Sequence, residues 1–168
     1  MDWSAVAASG VAFAFIKATE AATLVDPLFA SHWAQAKQAG VLRGAYHFFR
    51  PKVDAVAQAR HFLAQLTDIG ELPPVIDVEL ADGVAGAAVV RGVAEFVDVV
   101  AASIGRPIIY TSPGFWNSLP GTARVASRAD LWVSHWNVAK PGHVNGWSSW
   151  TFWQSSSKAT VAGMRGMA

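Results

Sequence analysis

Two carboxylates lie two residues apart at the end of an apolar run, Val75-Ile76-Asp77-Val78-Glu79. Side chains at positions i and i+2 of a strand point to the same face, so Asp77 and Glu79 are predicted to share one side of a sheet. Their mutual repulsion and their burial should raise the pKa of one of them. A carboxyl that keeps its proton near neutral pH can protonate a leaving oxygen, as glycoside hydrolysis requires. The same spacing is also typical of an exposed or salt-bridged pair, so the motif alone leaves both interpretations open.

Lys17 and Glu20 follow another apolar run, residues 11–16. We expect both side chains at the same mouth as the acid pair, because the carboxyl ends of parallel strands meet at one edge. An ion pair between Lys17 and Glu20 that fixes the turn is the structural alternative, and the two interpretations are compatible.

Polar and aromatic residues near two further strand ends extend the candidate site. Tyr46 and Phe48 alternate with His47, so His47 should face the opposite side of the sheet as a buried, hydrogen-bonded core residue. Gln154 ends the last predicted strand, and we expect it to reach the mouth.

Tryptophan is concentrated near the end of the chain, with five of the eight between residues 132 and 153. Indole rings stack on apolar faces, and their N–H groups donate hydrogen bonds, so they suit sugar rings. We expect Trp136 and Trp147, near loops, to form a sugar platform. Trp132 and Trp153 lie within predicted strands, which favours a place in the core.

The amino-acid composition limits which fold classes, partners and cofactors this chain can have. The chain has 168 residues, a formal charge of +1, 52% hydrophobic and 15% charged residues, which predicts a single domain with a large core. Lys and Arg are not clustered, which argues against nucleic acid as a partner. The absence of Cys excludes disulfides and thiolate chemistry, and the five His lack metal-ligand spacing, so we expect no metal and no cofactor. No apolar run reaches the length of a membrane span, and no signal peptide is recognisable.

Strands that are nearly solid apolar runs alternate with helices, which predicts a parallel sheet. No Gly-rich dinucleotide fingerprint follows the first strand, so we favour a barrel over an open doubly wound sheet. Predicted helices end near residue 105 while strands continue, which indicates an irregular, incomplete TIM-like (β/α) barrel with helices around part of it. The predicted strands are 11–17, 41–49, 75–80, 107–111, 131–136 and 151–154, and the predicted helices are 26–40, 53–66, 87–104 and a turn at 115–119.

Six segments, in this order, resemble the family-25 glycoside hydrolases, lysozymes that cleave peptidoglycan between N-acetylmuramic acid and N-acetylglucosamine. The resemblance covers roughly residues 2–163. The segments are Gly10–Glu20, Gly44–Phe48, Val75–Glu79, Ile108–Thr111, Leu131–Val133 and Trp150–Gln154.

The resemblance implies a flattened barrel and a role for each acid. Glu79 matches the general acid of the family. Asp77 matches the partner carboxylate, which orients or stabilises the substrate's N-acetyl group as that group attacks the anomeric carbon. Tyr46, Tyr110 and Trp132 fall on positions that line the groove. The implied partner is bacterial cell-wall peptidoglycan, and the family is often secreted or phage-encoded.

The resemblance departs at both ends of the chain. Asp2-Trp3-Ser4 matches the family's Asp-Trp ahead of the first helix, so the family's first strand and its Asp are expected to be missing. The segment 161–168 lacks the family's C-terminal Asp, and Trp136 stands where Tyr is common. A missing strand exposes sheet edges, which a shifted strand or a dimer can cover. We therefore expect weak or conditional lysis, with a peptidoglycan-binding module that no longer cuts as the alternative.

Overall fold

A computed structural model describes residues 1–164, within which there are seven strands and six helices. The strands are β1 Phe13–Glu20, β2 Leu24–Val25, β3 Leu42–Phe48, β4 Val75–Asp77, β5 Ile108–Thr111, β6 Asp130–Ser134 and β7 Phe152–Gln154. The helices are α1 Trp3–Ala8, α2 Phe29–Gln38, α3 Ala55–Gln65, α4 Gly86–Ile104, α5 Pro113–Trp116 and α6 Ala123–Ala126. None of these helices is both long and apolar enough to cross a membrane.

The strands form one curled sheet in the order β2-β1-β3-β4-β5-β6-β7, parallel except for the short β2. Four strand spacings of about 4.8 Å, or roughly 19 Å, would separate β1 from β6 in a flat sheet. The rings of Phe15 on β1 and Trp132 on β6 are instead 4.5 Å apart. The sheet therefore curls into a half-barrel, which confirms the incomplete TIM-like barrel predicted from the sequence.

Helices α2, α3 and α4 cover the convex face of the sheet. The buried positions of α4 follow a helical period, and the helix ends at Gly105, whose φ of +98° favours glycine. Asp54 caps α3 by accepting from the Ala57 N–H at 2.7 Å. The buried α4 side chains are Val89, Val90, Val93, Phe96, Val97 and Val100. After α4 only short helices follow, so this layer covers part of the half-barrel, as predicted.

The side chain of His47, on β3, points toward this helix layer, on the face opposite Tyr46 and Phe48. It is fully buried, and its Nδ1 and Nε2 lie 2.8 Å from Thr19 Oγ1 and 3.1 Å from Gln58 Oε1. Burial lowers the pKa of His47 to about 4. His47 is therefore a neutral core residue, as the alternation of the strand predicted.

Several element bounds differ from the predictions, and two short elements were not predicted. Strand β4 ends at Asp77 rather than Leu80, although the Val78 N–H still donates to Tyr110 O at 2.9 Å. Helix α2 begins at Phe29 because the Asp26 carboxylate accepts from the Leu28 N–H in a turn before the helix. The short elements β2 and α6 have no periodic signal in the sequence.

The two ends of the described chain lie side by side. The Asp2 N–H donates to Gly163 O at 2.8 Å, and Asp2 caps α1 through the Ser4 and Ala5 N–H groups. No strand precedes α1, and no ladder joins β1 to β7 within residues 1–164. The expectation about the segment 161–168 falls in part on residues 165–168, which lie outside the described residues.

Candidate active site

The concave face of the sheet carries one row of side chains at the carboxyl ends of the strands. Phe48 pairs with Asp77, Asp77 with Tyr110, and Tyr110 with Trp132, so these four residues stand at one level of four adjacent strands. Above them lies a cavity of about 470 Å³, within the range of small-molecule sites. It is lined by Phe15, Lys17, Tyr46, Phe48, Val75, Asp77, Glu79, Tyr110, Trp132 and Gln154.

A β-bulge brings Glu20 to the same face as Lys17. Residues three apart on a regular strand point to opposite faces. The register of β1 against β3 shifts between Lys17 and Thr19, so Glu20 comes level with Phe48. Lys17 Nζ then reaches Glu20 Oε2 at 2.7 Å. The ion pair allowed by the sequence is present at the edge of the mouth.

Arg50 joins this ion pair from the loop after β3. Its Nε donates to Glu20 Oε1 at 2.8 Å, and its Nη1 lies 3.4 Å from Asp82 Oδ1. Lys17 Nζ and the Arg50 guanidinium lie 5.2 and 4.9 Å from the centre of the Phe48 ring. The hydrogen bond from Lys17 lowers the pKa of Glu20, so Glu20 is a fixed negative charge that anchors both cations.

Asp77 is the more buried acid, at 8% exposure, and its Oδ1 has no hydrogen-bond partner among the described residues. Burial, followed by the negative charge of Glu79, raises the pKa of Asp77 to about 8, while Lys17 opposes the shift. A buried carboxyl oxygen without a donor is costly when ionised, and it is available to accept a hydrogen bond from a ligand.

Glu79 lies two residues beyond Asp77 and is more exposed at the mouth of the cavity. Burial of its carboxyl raises the pKa of Glu79, and Tyr110 beside it opposes this shift. Because burial disfavours the charge of each acid and the charge of Glu79 adds to the shift of Asp77, the pair holds a proton near neutral pH, on Asp77 in the empty site. The structure therefore favours two acids that share one cavity over an exposed or salt-bridged pair.

Two tyrosines flank the acids. Burial raises the pKa of Tyr110 to about 12 and also raises that of Tyr46. Both hydroxyls are therefore neutral and can donate or accept hydrogen bonds beside the carboxyls.

Aromatic rings form the floor of the cavity. The Trp132 ring lies 4.5 Å from Phe15 and 4.7 Å from Tyr110. Phe15 can lie there because Gly44, its pairing partner on β3, has no side chain: a Cβ on Gly44 would come within 2.4 Å of the Phe15 ring. Trp132 is partly buried: it packs against the small buried cluster of Val75, Ile108 and Tyr110 and also lines the cavity, so it has both a structural place and a place in the groove.

The rim on the side of β7 is a hydrogen-bonded group of three residues. Gln154 Oε1 accepts from the Tyr110 hydroxyl at 2.8 Å and from Trp136 Nε1 at 3.0 Å. Trp136 is 43% exposed and stands just outside the cavity lining. Its indole is thus placed at the edge of the groove by Gln154.

The structure brings most of the predicted site residues together. Seven of the nine line the cavity, Glu20 lies behind Lys17, and Trp136 stands on the rim. Within residues 1–164 no group of three or more His, Asp or Glu side chains is arranged to hold a metal ion.

Trp147 and Trp153 both lie away from the cavity lining. The expectation of a sugar platform at Trp147 is wrong: its ring packs 5.1 Å from Trp116, and its N–H donates to Ala129 O. Trp153 is held in the structure by a bond to His135 O, as expected. The sequence analysis did not propose Phe15, Phe48 or Arg50 as site residues, although its alternation with His47 put Phe48 on the same face as Tyr46.

Comparison with known proteins assigns this site to a family. The sequence profile of glycosyl hydrolases family 25 matches residues 1–164. Lysozyme M1 of Streptomyces globisporus is 34% identical over 99% of this chain and 61% of its own length. An N,O-diacetylmuramidase of Arthroderma benhamiae is 33% identical over 93% of this chain and 72% of its own. The chain thus spans about three fifths of the first of these relatives.

The fold agrees with solved structures of the same kind. The bacterial lysozyme from Streptomyces coelicolor superposes with a TM-score of 0.92 at 34% identity, covering 99% of this chain and 83% of that one. A muramidase from Acremonium alcalophilum superposes with a TM-score of 0.87 at 31% identity, covering 99% and 85%. Profile, relatives and structures agree, and the chain therefore belongs to glycosyl hydrolases family 25.

Proposed function

We propose that this chain is a muramidase that hydrolyses the β-1,4 bond between N-acetylmuramic acid and N-acetylglucosamine in peptidoglycan. The observation that carries the proposal is the placement of Asp77 and Glu79 in one cavity walled by aromatic side chains. The names of the lysozyme and muramidase relatives support the same substrate.

Glu79 is proposed as the general acid and base. It is the acid nearer the mouth, where the glycosidic oxygen of a long polymer can reach it, and its partial burial raises its pKa, which favours the protonated form that an acid catalyst needs. As the bond breaks, the proton moves from Glu79 to the leaving oxygen. The resulting carboxylate then takes a proton from the water that completes hydrolysis.

Asp77 is proposed to hold the N-acetyl group of the substrate. Its unpartnered Oδ1 can accept the acetamido N–H, which places the acetyl oxygen for attack on the anomeric carbon. That hydrogen bond favours the ionised form of Asp77, so substrate binding shifts the shared proton toward Glu79. Burial therefore keeps Asp77 neutral in the empty site, and the substrate hydrogen bond offsets this effect in the complex.

The remaining lining residues are proposed to bind sugar. Trp132 and the exposed Trp136 offer faces for pyranose rings, and Tyr46, Tyr110 and Gln154 offer polar atoms. Lys17, held by Glu20, lines the same cavity and offers an ammonium group that can donate hydrogen bonds to sugar oxygens.

A binding module that no longer cuts is the second candidate. Among the described residues, the cavity lining contains two carboxylates, Asp77 and Glu79, and no strand ladder joins β1 to β7. Ring contacts of Phe13 and Phe15 with Phe152 join these two strands, but this wall lacks the backbone hydrogen bonds that hold a paired strand in place. Such a protein would bind walls without clearing them.

The two functions are separated by the turbidity of a bacterial wall suspension treated with the wild type, Glu79→Gln and Glu95→Gln. Glu95 lies exposed on α4, so its variant is a matched control for the loss of a carboxyl. We expect the wild type and Glu95→Gln to clear the suspension, and Glu79→Gln to lose at least about 100-fold in rate, as general acid–base catalysis contributes. Equal clearing by all three proteins would show that Glu79 is not the general acid. Sedimentation with the walls and no clearing by any of them supports the binding module.

A further inference from the structure

Thr111, the last residue of β5, makes a side-chain hydrogen bond that extends the contact between β4 and β5. It is fully buried, and its hydroxyl lies 2.8 Å from Val78 O. A carbonyl oxygen only accepts, so the Thr111 hydroxyl must be the donor. The neighbouring Tyr110 lines the cavity, so the Thr111 side chain points to the opposite face of the sheet. Thr111 therefore acts from behind the site and does not line it.

This bond stands where the backbone ladder between the two strands ends. Strand β4 ends at Asp77, which pairs with Tyr110, and the Val78 N–H still donates to Tyr110 O at 2.9 Å. Beyond Thr111 the chain leaves the sheet, because Ser112 is the N-cap residue of α5. The Thr111 hydroxyl thus supplies a donor to a buried carbonyl that would otherwise be costly to leave unpaired.

The Val78 carbonyl belongs to the peptide unit that joins Val78 to Glu79. Because a peptide unit is planar, fixing the direction of this carbonyl also fixes the N and Cα atoms of Glu79. Val78 is anchored further by its N–H and by a side chain buried in the core. After it the anchors stop: within residues 1–164, neither Glu79 nor the exposed Leu80 forms a backbone–backbone hydrogen bond. Glu79 therefore lies where an anchored segment meets a loose one.

We propose that Thr111 is a positioning residue that, through the Val78 carbonyl, holds the Glu79 carboxyl beside Asp77 in the cavity. The proposal rests on the proposed function for the use of Glu79 as an acid, but the hydrogen bond itself requires no substrate. Misplacing a catalytic group by about 1 Å can lower a rate by about 100-fold, so a bond outside the cavity can control catalysis. Loss of the Thr111 hydroxyl should affect the chemical step more than substrate binding.

The first test is the kinetics of Thr111→Val and Thr111→Ser on soluble peptidoglycan fragments. Valine has nearly the shape of threonine but lacks the hydroxyl, whereas serine keeps it. We expect kcat to fall by about 10-fold or more in Thr111→Val while KM changes by less than about 2-fold. Thr111→Ser should recover most of the rate. Beside a wild type that cuts, an unchanged kcat in Thr111→Val, a change in KM alone, or an equal loss in both variants overturns the inference.

Thr19→Val is the matched control for the loss of a buried hydroxyl. Thr19 is also fully buried, but its hydroxyl lies 2.8 Å from Nδ1 of His47, which points toward the helices. Thr19→Val and Thr111→Val should both lower the midpoint of guanidinium unfolding, because each leaves a buried polar group without its partner. Only Thr111→Val should lower kcat by the expected factor. An equal loss of kcat in Thr19→Val would assign the effect to general destabilisation and overturn the inference.

A second readout uses the free protein and needs no substrate. The negative charge of Glu79 contributes to the raised pKa of Asp77. If Thr111→Val lets Glu79 move away, a carbon-13 titration of the Asp77 carboxyl should shift to lower pH by about 0.5–1 unit. Thr111→Ser and the control variant should leave this titration in place. The remaining charged groups that act on Asp77 lie on β1 and pair with each other: Lys17 and Glu20.

The two readouts separate this inference from the proposed function. A titration shift in Thr111→Val, with no cutting by the wild type, refutes the muramidase proposal alone. Cutting by the wild type and Thr111→Val at equal rates, with an unmoved titration, refutes the role of Thr111 alone. An unmoved titration of Asp77 in Thr111→Val overturns the inference whatever the rate.

Discussion

Replacing Asp77 by Asn should make the protein more stable in alkaline solution. Burial and Glu79 raise the pKa of Asp77 from 3.8 to about 8 in the folded state. The unfolded chain ionises near the ordinary value, so folding takes up a proton between the two pKa values. The contribution of Asp77 to stability is therefore fully present at low pH and is lost as the pH rises through about 8. An Asn side chain has no charge to bury and does not lose this contribution.

The magnitude follows from the size of the shift. One pH unit corresponds to about 1.4 kcal/mol, so raising the pH from 5 to 9 crosses about three units of the Asp77 shift, an upper limit of about 4 kcal/mol. Relaxation and water entry reduce buried-charge penalties, so we expect about 2 kcal/mol. The gain in the free energy of unfolding of Asp77→Asn over the wild type should thus be about 2 kcal/mol larger at pH 9 than at pH 5.

Guanidinium unfolding followed by tryptophan fluorescence at the two pH values measures this difference. Glu95→Gln, which removes an exposed carboxyl from α4, is the control, and its difference from the wild type in the free energy of unfolding should be nearly the same at pH 5 and at pH 9. A gain for Asp77→Asn that is the same at both pH values would refute the reasoning, because Asp77 would then not be titrating in the folded protein at raised pH.

Three further predictions follow from other contacts. Gly44→Ala places a methyl group in the Phe15 ring and should lower the free energy of unfolding by about 1–3 kcal/mol in guanidinium melts; an unchanged midpoint contradicts the close approach. Lys17→Met removes a cation that lowers the pKa of Asp77, so a carbon-13 titration of that carboxyl should move to higher pH, and a downward shift would be the contrary result. His47 has a folded pKa of about 4, below its unfolded value of 6.5, so its stabilising effect is present above pH 6.5 and is lost as the pH falls toward 4. In the Asp77→Asn background, unfolding measured at pH 6.5 and pH 4 should therefore show a loss of about 2 kcal/mol, and a flat profile would refute the neutral, buried His47.

Much of the architecture was predictable because its signals are local. Apolar runs marked the sheet strands, alternation put Tyr46 and His47 on opposite faces, and the spacing of Asp77 and Glu79 put both acids at the mouth. Parallel order then followed from the helices between strands. These features depend on a period of two or on neighbouring residues, which a single sequence records.

Other features depend on contacts between distant segments, which periodicity does not record. The bulge after Lys17 reverses the face of Glu20, and it is visible only in the register against β3. Trp147 lies as near to loops as Trp136 does, but Trp147 packs on Trp116 while Trp136 bonds to Gln154 at the rim. The role of each tryptophan is decided by partners about 20 to 30 residues away.

The most direct test of the account is the chemistry of the cut ends. Purified peptidoglycan digested with the wild type, then reduced with borohydride and analysed by mass spectrometry, should yield fragments that end in reduced N-acetylmuramic acid. Under the same conditions Glu79→Gln should yield at least about 100-fold fewer of these ends. Fragments ending in reduced N-acetylglucosamine, or an equal yield of muramic acid ends from Glu79→Gln, would contradict the assignment of the acid pair.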